Sequence, residues 1–193
     1  VRYIDIPIQH IDDRILRRMN RRDTGESIRA LFKKLRERIP GLVLRTSLIT
    51  GLPGEGEEEF EELCAFIRDV RFERLGCFAF SPEEGTVAAC LPGQIEEREK
   101  QRRRDIVMEE QARVSDAFNR EQIGKTKTVL VESYDRYAEC WFGRGEADAP
   151  DIDGKVFFTC PPGAVRPGDL VSIKITDSMD WDLMGELSDE PAQ

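Results

Sequence analysis

Leu42-Val43-Leu44-Arg45-Thr46-Ser47-Leu48-Ile49-Thr50, then Gly51-Leu52-Pro53-Gly54, then Glu55 to Val70, is the stretch that decides the fold. The first part is rich in Leu and β-branched residues and reads as a strand. The Gly-Leu-Pro-Gly segment is a tight turn. It lacks the Gly-Lys-Ser/Thr ending of a phosphate loop. From Glu55 the period becomes helical: Phe60, Leu63, Cys64, Ile67 and Val70 share one face. Glu crowds the first turns, which suits the positive end of a helix dipole.

The same alternation extends in both directions. Upstream, Tyr3 to Ile8 reads as a short strand, and Ile15, Leu16 and Met19 fall at helical spacing. A helix over 26–38 carries Ile28, Leu31, Phe32 and Leu35 on one face and stops at Pro40-Gly41. Downstream, Leu75 to Phe80 is a further strand, closed by Ser81-Pro82. Strands separated by helices imply parallel pairing through right-handed crossovers. Three strands do not close a barrel, and the chain starts abruptly on a strand. The expectation is the C-terminal half of a parallel α/β, TIM-like barrel over 1–92.

Residues 93–122 read as one long charged helix. Its apolar stripe is sparse, so it is expected to be a solvated linker, with Arg102-Arg103-Arg104 on a solvated face among glutamates. After Gly124 the period changes to two. Five short strands punctuated by Gly, Asp and Pro predict a five-stranded OB-like β-barrel over 123–188. Residues 189–193 are a polar tail. The fold class is therefore α/β plus β.

Composition narrows the function classes. The 193 residues are 39% hydrophobic and 35% charged, which fits a packed core rather than disorder. No run approaches the roughly 18 apolar residues of a membrane span. Val1 to His10 lacks the pattern of a signal peptide, and a cytoplasmic protein is the expectation. The net charge is −9. Residues 1–121 carry 22 basic against 24 acidic side chains, and residues 122–193 carry 7 against 14. Bulk charge therefore argues against wrapping nucleic acid, and the acidic barrel has the sign to meet a basic protein. Five cysteines occur without a CxxC pair, and His10 is the sole histidine. No metal site is expected from these residues, and the thiols are read as small core residues. His10 itself is read as a core or rim histidine.

Several strings together resemble a known family. Asp5-Ile6-Pro7-Ile8-Gln9-His10, Asp13-Arg14-Ile15-Leu16 and Met19-Asn20-Arg21 resemble the fourth strand and following helix of radical-SAM methylthiotransferases. Arg45 to Glu55 with Glu59-Phe60 resembles their fifth strand and its loop. Phe78-Ala79-Phe80-Ser81 with Glu84-Gly85-Thr86 resembles the sixth, and the terminal barrel resembles a TRAM domain. The stretch from Gly145 to Gly154 and the ending Asp182-Leu183-Met184-Gly185 look like the branch that modifies an aspartate of small-subunit ribosomal protein S-twelve.

The resemblance implies a transferase that adds a methylthio group to the aspartate β-carbon, using S-adenosyl-L-methionine (SAM) and [4Fe-4S] clusters. The family's cluster-binding domain and its CxxxCxxC loop would lie before Val1. The chain is thus expected to be the C-terminal part of such an enzyme, with no catalytic residue or cluster ligand of its own and no activity alone. The resemblance assigns Gln9 and Arg21 to the methionyl part of SAM, Ser47 to its ribose, and Ile49, Phe78 and Phe80 to its adenine. Docking of the basic ribosomal protein is expected at Asp148, Asp151 and Asp153, with RNA the weaker partner. The alternatives are the tRNA-adenosine branch, which predicts a positively charged barrel, and a non-catalytic binding module. Oligomeric state is not legible in the sequence.

Overall fold

A computed structural model describes residues 1–189; the expected tail lies, from Glu190 on, outside the described residues. The chain forms two compact units, Ile4–Gln111 and a second that joins Val1–Tyr3 to the chain from Ala112 onward.

The first unit is built on a three-stranded sheet in the order β1 (Tyr3–Asp5), β2 (Val43–Thr50), β3 (Arg74–Ala79). Strands β2 and β3 run parallel, in register from Arg45 opposite Arg74 to Thr50 opposite Ala79. The line of β1 continues to Gln9, which bridges to Leu48 in parallel. Along β2, Leu44, Thr46, Leu48 and Thr50 are buried, while Arg45, Ser47 and Ile49 are half-buried. The two-residue period thus separates a core face from an open face.

Helices α1 (Asp13–Arg18), α2 (Gly25–Arg38) and α3 (Glu57–Val70) connect the strands. The core is one cluster that includes Ile8, Leu16, Phe32, Leu44, Leu48, Leu63, Phe66, Phe72 and Val107. Phe32 meets Phe72 edge-on at 4.9 Å and Phe66 at 6.2 Å, an arrangement that adds to plain burial. Thr24 caps α2: its Oγ1 accepts the Ser27 N–H at 3.2 Å, and Ser27 Oγ accepts the Thr24 N–H at 3.0 Å.

Two helices begin later than the periodicity predicts. Helix α3 starts at Glu57 because Glu55 folds its carboxylate back onto the preceding turn. Gly56 is the cap, and its N–H donates to Glu59 Oε2 at 2.8 Å. Helix α4 (Glu97–Arg120) starts four residues after the expected 93. Gly93 adopts φ +81°, a conformation suited to glycine, and its carbonyl accepts the Gly54 N–H at 2.7 Å.

The solvated-linker expectation for α4 is corrected. Lys100, Arg103, Val107 and Gln111 form a buried stripe at helical spacing. Gln111 Nε2 donates to the Phe72 carbonyl at 3.0 Å. Of the Arg102-Arg103-Arg104 run, Arg102 is exposed, Arg104 is half-buried and Arg103 is buried. The burial is possible because Arg103 finds carboxylate partners inside the unit.

The second unit is a closed barrel in the order β4 (Thr126–Asp135), β5 (Cys140–Arg144), β6 (Val156–Thr159), β8 (Asp182–Leu187), β7 (Leu170–Met179). All its pairs are antiparallel except β6 with β8. Val129, Val131, Val156, Phe158, Ile173, Ile175 and Leu183 fill it. Among the described residues, no helix is long and apolar enough to cross a membrane.

Candidate functional site at the open sheet face

The parallel register aligns Arg45 with Arg74, Ser47 with Gly76, and Ile49 with Phe78 on one face. Arg45 Nη1 donates to Asp5 Oδ2 at 2.6 Å, which neutralises one end of this face. Toward the C-terminal ends of the strands the face becomes apolar. Phe78 is 59% exposed there, although aromatic residues are usually buried. Gly76 beside Ser47 carries no side chain to fill the space. The ends of parallel strands are where ligands of α/β sheets bind.

The backbone brings Gln9, Ser47 and Ile49 together. The Gln9 N–H donates to the Ser47 carbonyl at 3.0 Å, and the Ile49 N–H donates to the Gln9 carbonyl at 2.8 Å. Gln9 has φ +69°, a left-handed conformation uncommon for a residue with a side chain. Such strain clusters at sites of function. The Phe80 N–H donates to the Thr50 carbonyl at 2.8 Å, and Lys100 Nζ lies 5.4 Å from the centre of the Phe80 ring.

Arg21 ends on Asp23 Oδ2 at 3.5 Å rather than on Gln9. Its Nε is buried without a hydrogen-bond partner. A buried guanidinium N–H left open is costly and awaits an acceptor.

Behind the face lies a buried polar network that sequence reasoning missed. Both Glu55 carboxylate oxygens accept the Gly51 N–H, at 2.9 and 3.0 Å. Arg103 Nη1 donates to Glu55 Oε1 at 2.9 Å and to the Glu55 carbonyl at 2.9 Å. His10 is fully buried. Its Nδ1 accepts the Asp12 N–H at 3.1 Å, so the ring proton sits on Nε2, 3.4 Å from Glu55 Oε2. Burial pushes the Glu55 carboxyl up. Contacts from His10, the Gly51 amide and Arg103 outweigh it and hold the group below the usual carboxylate range. On the surface side, Arg102 and Arg103 hold the Glu99 carboxyl down at about 2. The only local signal of this network was a glutamate directly after a Gly-Leu-Pro-Gly turn.

The expected acidic loop closes on itself. Asp148 Oδ2 accepts the Gly145 N–H at 3.2 Å, and Asp153 Oδ2 accepts the Ala149 N–H at 2.8 Å and the Tyr3 hydroxyl at 2.6 Å. Asp151 is exposed at φ +61°. Cys64 and Cys77 are buried free thiols, and burial pushes the Cys77 thiol up to about 12. Among the described residues, no three His, Cys, Asp or Glu side chains gather to hold a metal ion.

Residues 1–67 match the Radical SAM superfamily, and residues 123–187 match the TRAM domain. The chain is thus similar to radical SAM proteins over its first third and to TRAM domains over its last third. It is 48% identical over 96% of its length to the ribosomal protein uS12 methylthiotransferase RimO of Geotalea uraniireducens. It is 50% identical over 96% to that of Geobacter sulfurreducens, and 43% over 98% to that of Clostridium botulinum. The chain spans 41–42% of the length of these relatives. The solved structure of coproporphyrinogen III oxidase (HemN) from Escherichia coli, a radical SAM enzyme, overlaps at TM-score 0.48 and 19% identity, over 79% of this chain and 36% of that one. The match over residues 1–67 takes in Gln9, Ser47 and Ile49 of the open face, while β3 with Gly76 and Phe78 lies beyond it.

Proposed function

We propose that this chain is the C-terminal part of a radical SAM methylthiotransferase that modifies an aspartate of ribosomal protein uS12 in the cytoplasm. The observation that carries the reading is the identity of 48–50% to proteins of that name over 96% of the chain. In this reading the first unit is half of a TIM-like barrel. The second is an OB-like fold; its strand order, with one parallel pair between the third and fifth strands, supports that assignment.

The donor set of the open face fits SAM. SAM bound there supplies the adenosyl and methyl groups of the chemistry. Arg21 Nε, buried and without an acceptor, suits the methionyl carboxylate. The Gln9 side chain at the strand end lies within the same rim and suits the methionyl ammonium. The Ser47 hydroxyl suits a ribose hydroxyl, and Ile49, exposed Phe78 and Phe80 offer an apolar bed for adenine. The role of Glu55 is to hold the Gly51 turn so that these groups keep their spacing. The residues described do not fit a [4Fe-4S] cluster, and none is assigned to hold one. The acidic barrel is read as the docking side for the basic ribosomal protein. Asp151 is its exposed contact, while Asp148 and Asp153 shape the loop.

Two experiments test this. Calorimetric titration of the chain with SAM should show binding that Arg21→Ala weakens about tenfold or more, the cost of one charge-assisted hydrogen bond. Deleting the gene should remove the mass of a methylthio group from uS12 in purified small subunits. Loss of a methylthio group from tRNA adenosine instead, with uS12 unchanged, would move the reading to the tRNA branch.

A further inference from the structure

We propose that the arginine cluster spanning Arg14 to Arg22 is a docking patch for an RNA phosphate backbone, placed beside the rim of the open sheet face. This rests on the reading above in naming that rim and the protein substrate met there. The nine residues from Arg14 to Arg22 hold five arginines and no acidic side chain, within a chain of net charge −9.

The neighbouring acids are committed elsewhere. Asp12 Oδ1 accepts the Ile15 N–H at 2.8 Å, and Asp13 Oδ1 accepts the Gly25 N–H at 2.8 Å. Glu59 takes Arg14, and Asp23 takes Arg21. Arg17 meets Asp13 Oδ2 only at 3.6 Å with its side chain 72% exposed, a geometry worth little in water. Arg18 Nη1 donates 2.7 Å to the neutral Pro53 carbonyl, so its charge is not answered. Arg22 is exposed and has no ion pair among the described residues. By contrast, Arg102, Arg103 and Arg104 on α4 each meet a carboxylate.

The absence of apolar surface selects the partner. Between Val1 and Leu31 no large hydrophobic side chain is exposed among the described residues. A protein partner would need an apolar centre to bury. A phosphate backbone needs only spaced guanidinium groups, which match phosphate bidentately. The Arg18 contact with Pro53 ties the patch to the turn that ends β2. RNA held there lies next to the rim, which suits a protein substrate met together with its RNA rather than free.

The test uses anisotropy of a labelled oligouridine of about twelve nucleotides, titrated with the chain between about 50 and 200 mM salt. Arg17→Ala with Arg22→Ala should weaken binding about tenfold or more. It should also reduce the salt slope by about 1.4, as expected for two lost single-strand phosphate contacts. Arg17→Lys with Arg22→Lys should restore most of the binding, and Lys33→Ala with Lys34→Ala should change nothing. Unaltered circular dichroism and SAM binding in the alanine pair would separate this from misfolding and from failure of the SAM reading. Oligouridine binding that the alanine pair leaves intact overturns the proposal. So does displacement by polyglutamate at equal charge concentration, which would assign the patch to an acidic protein.

Discussion

Glu55 is the residue on which the first unit turns. It is buried, yet it carries a charge that the Gly51 amide at β2's exit and Arg103 of α4 satisfy, with the His10 ring 3.4 Å away. Removing one member of a buried pair leaves the other uncompensated. Glu55→Ala is therefore expected to cost about 3–5 kcal/mol in urea unfolding. Glu55→Gln should cost less, since the amide oxygen still accepts. The pH dependence follows from the depressed carboxyl. The unfolded chain takes up this proton near pH 4.3, before the folded one does. The stabilisation is complete above that pH and is lost as pH falls through the lower folded value. Glu55→Gln should flatten the acid limb of the stability curve. An unchanged acid limb would show that other carboxylates, Glu99 among them, govern it. None of this was legible in the sequence, because Glu55 and Arg103 lie 48 residues apart and neither position breaks a local pattern.

At the scale of elements, what was legible came from periodicity. The β-branched run read as β2 and the apolar face of α3 reappear as a strand and a helix with buried positions, while the burial alternation along β2 came from the structure. Helix starts were not legible, because they depend on distant hydrogen bonds such as Gly54 N–H to the Gly93 carbonyl. The N-cap of α2 is local. Thr24→Ala should cost about 1 kcal/mol, read by chemical denaturation. The barrel strands also depend on missing side chains. A Cβ at Gly143 would stand 2.1 Å from the Leu130 carbonyl oxygen, and one at Gly185 would stand 2.5 Å from that of Lys174. Gly143→Ala should therefore destabilise the barrel by about 1–3 kcal/mol, as overpacking does. The strand order that passes from β6 to β8 is a non-local pairing that no local pattern announces.

For the whole molecule, charge is the readable quantity, and its distribution matters more than its sum. The last third has 7 basic against 14 acidic residues, so self-repulsion within it is screened by salt. The melting temperature of the barrel should rise between low and moderate salt. A fall would show that pairs such as Arg144 with Glu132, 2.9 Å apart, outweigh the repulsion. The site was legible only through the family resemblance. The sequence placed Gln9, Ser47 and Ile49 at strand ends, whereas their direct backbone linkage needed the register. The significance of the basic patch lay in how the nearby acids were spent, which no local pattern announces.

The Gly51 amide has one further use. Its hydrogen points at a buried carboxylate that is also clamped by Arg103, so deuterium can replace it only when that clamp opens. Its exchange rate in native buffer is thus a built-in clock for transient opening of the strand end. SAM occupancy should slow this clock by the same factor as any stabilisation of the rim, while the neighbouring surface amides keep their own rates.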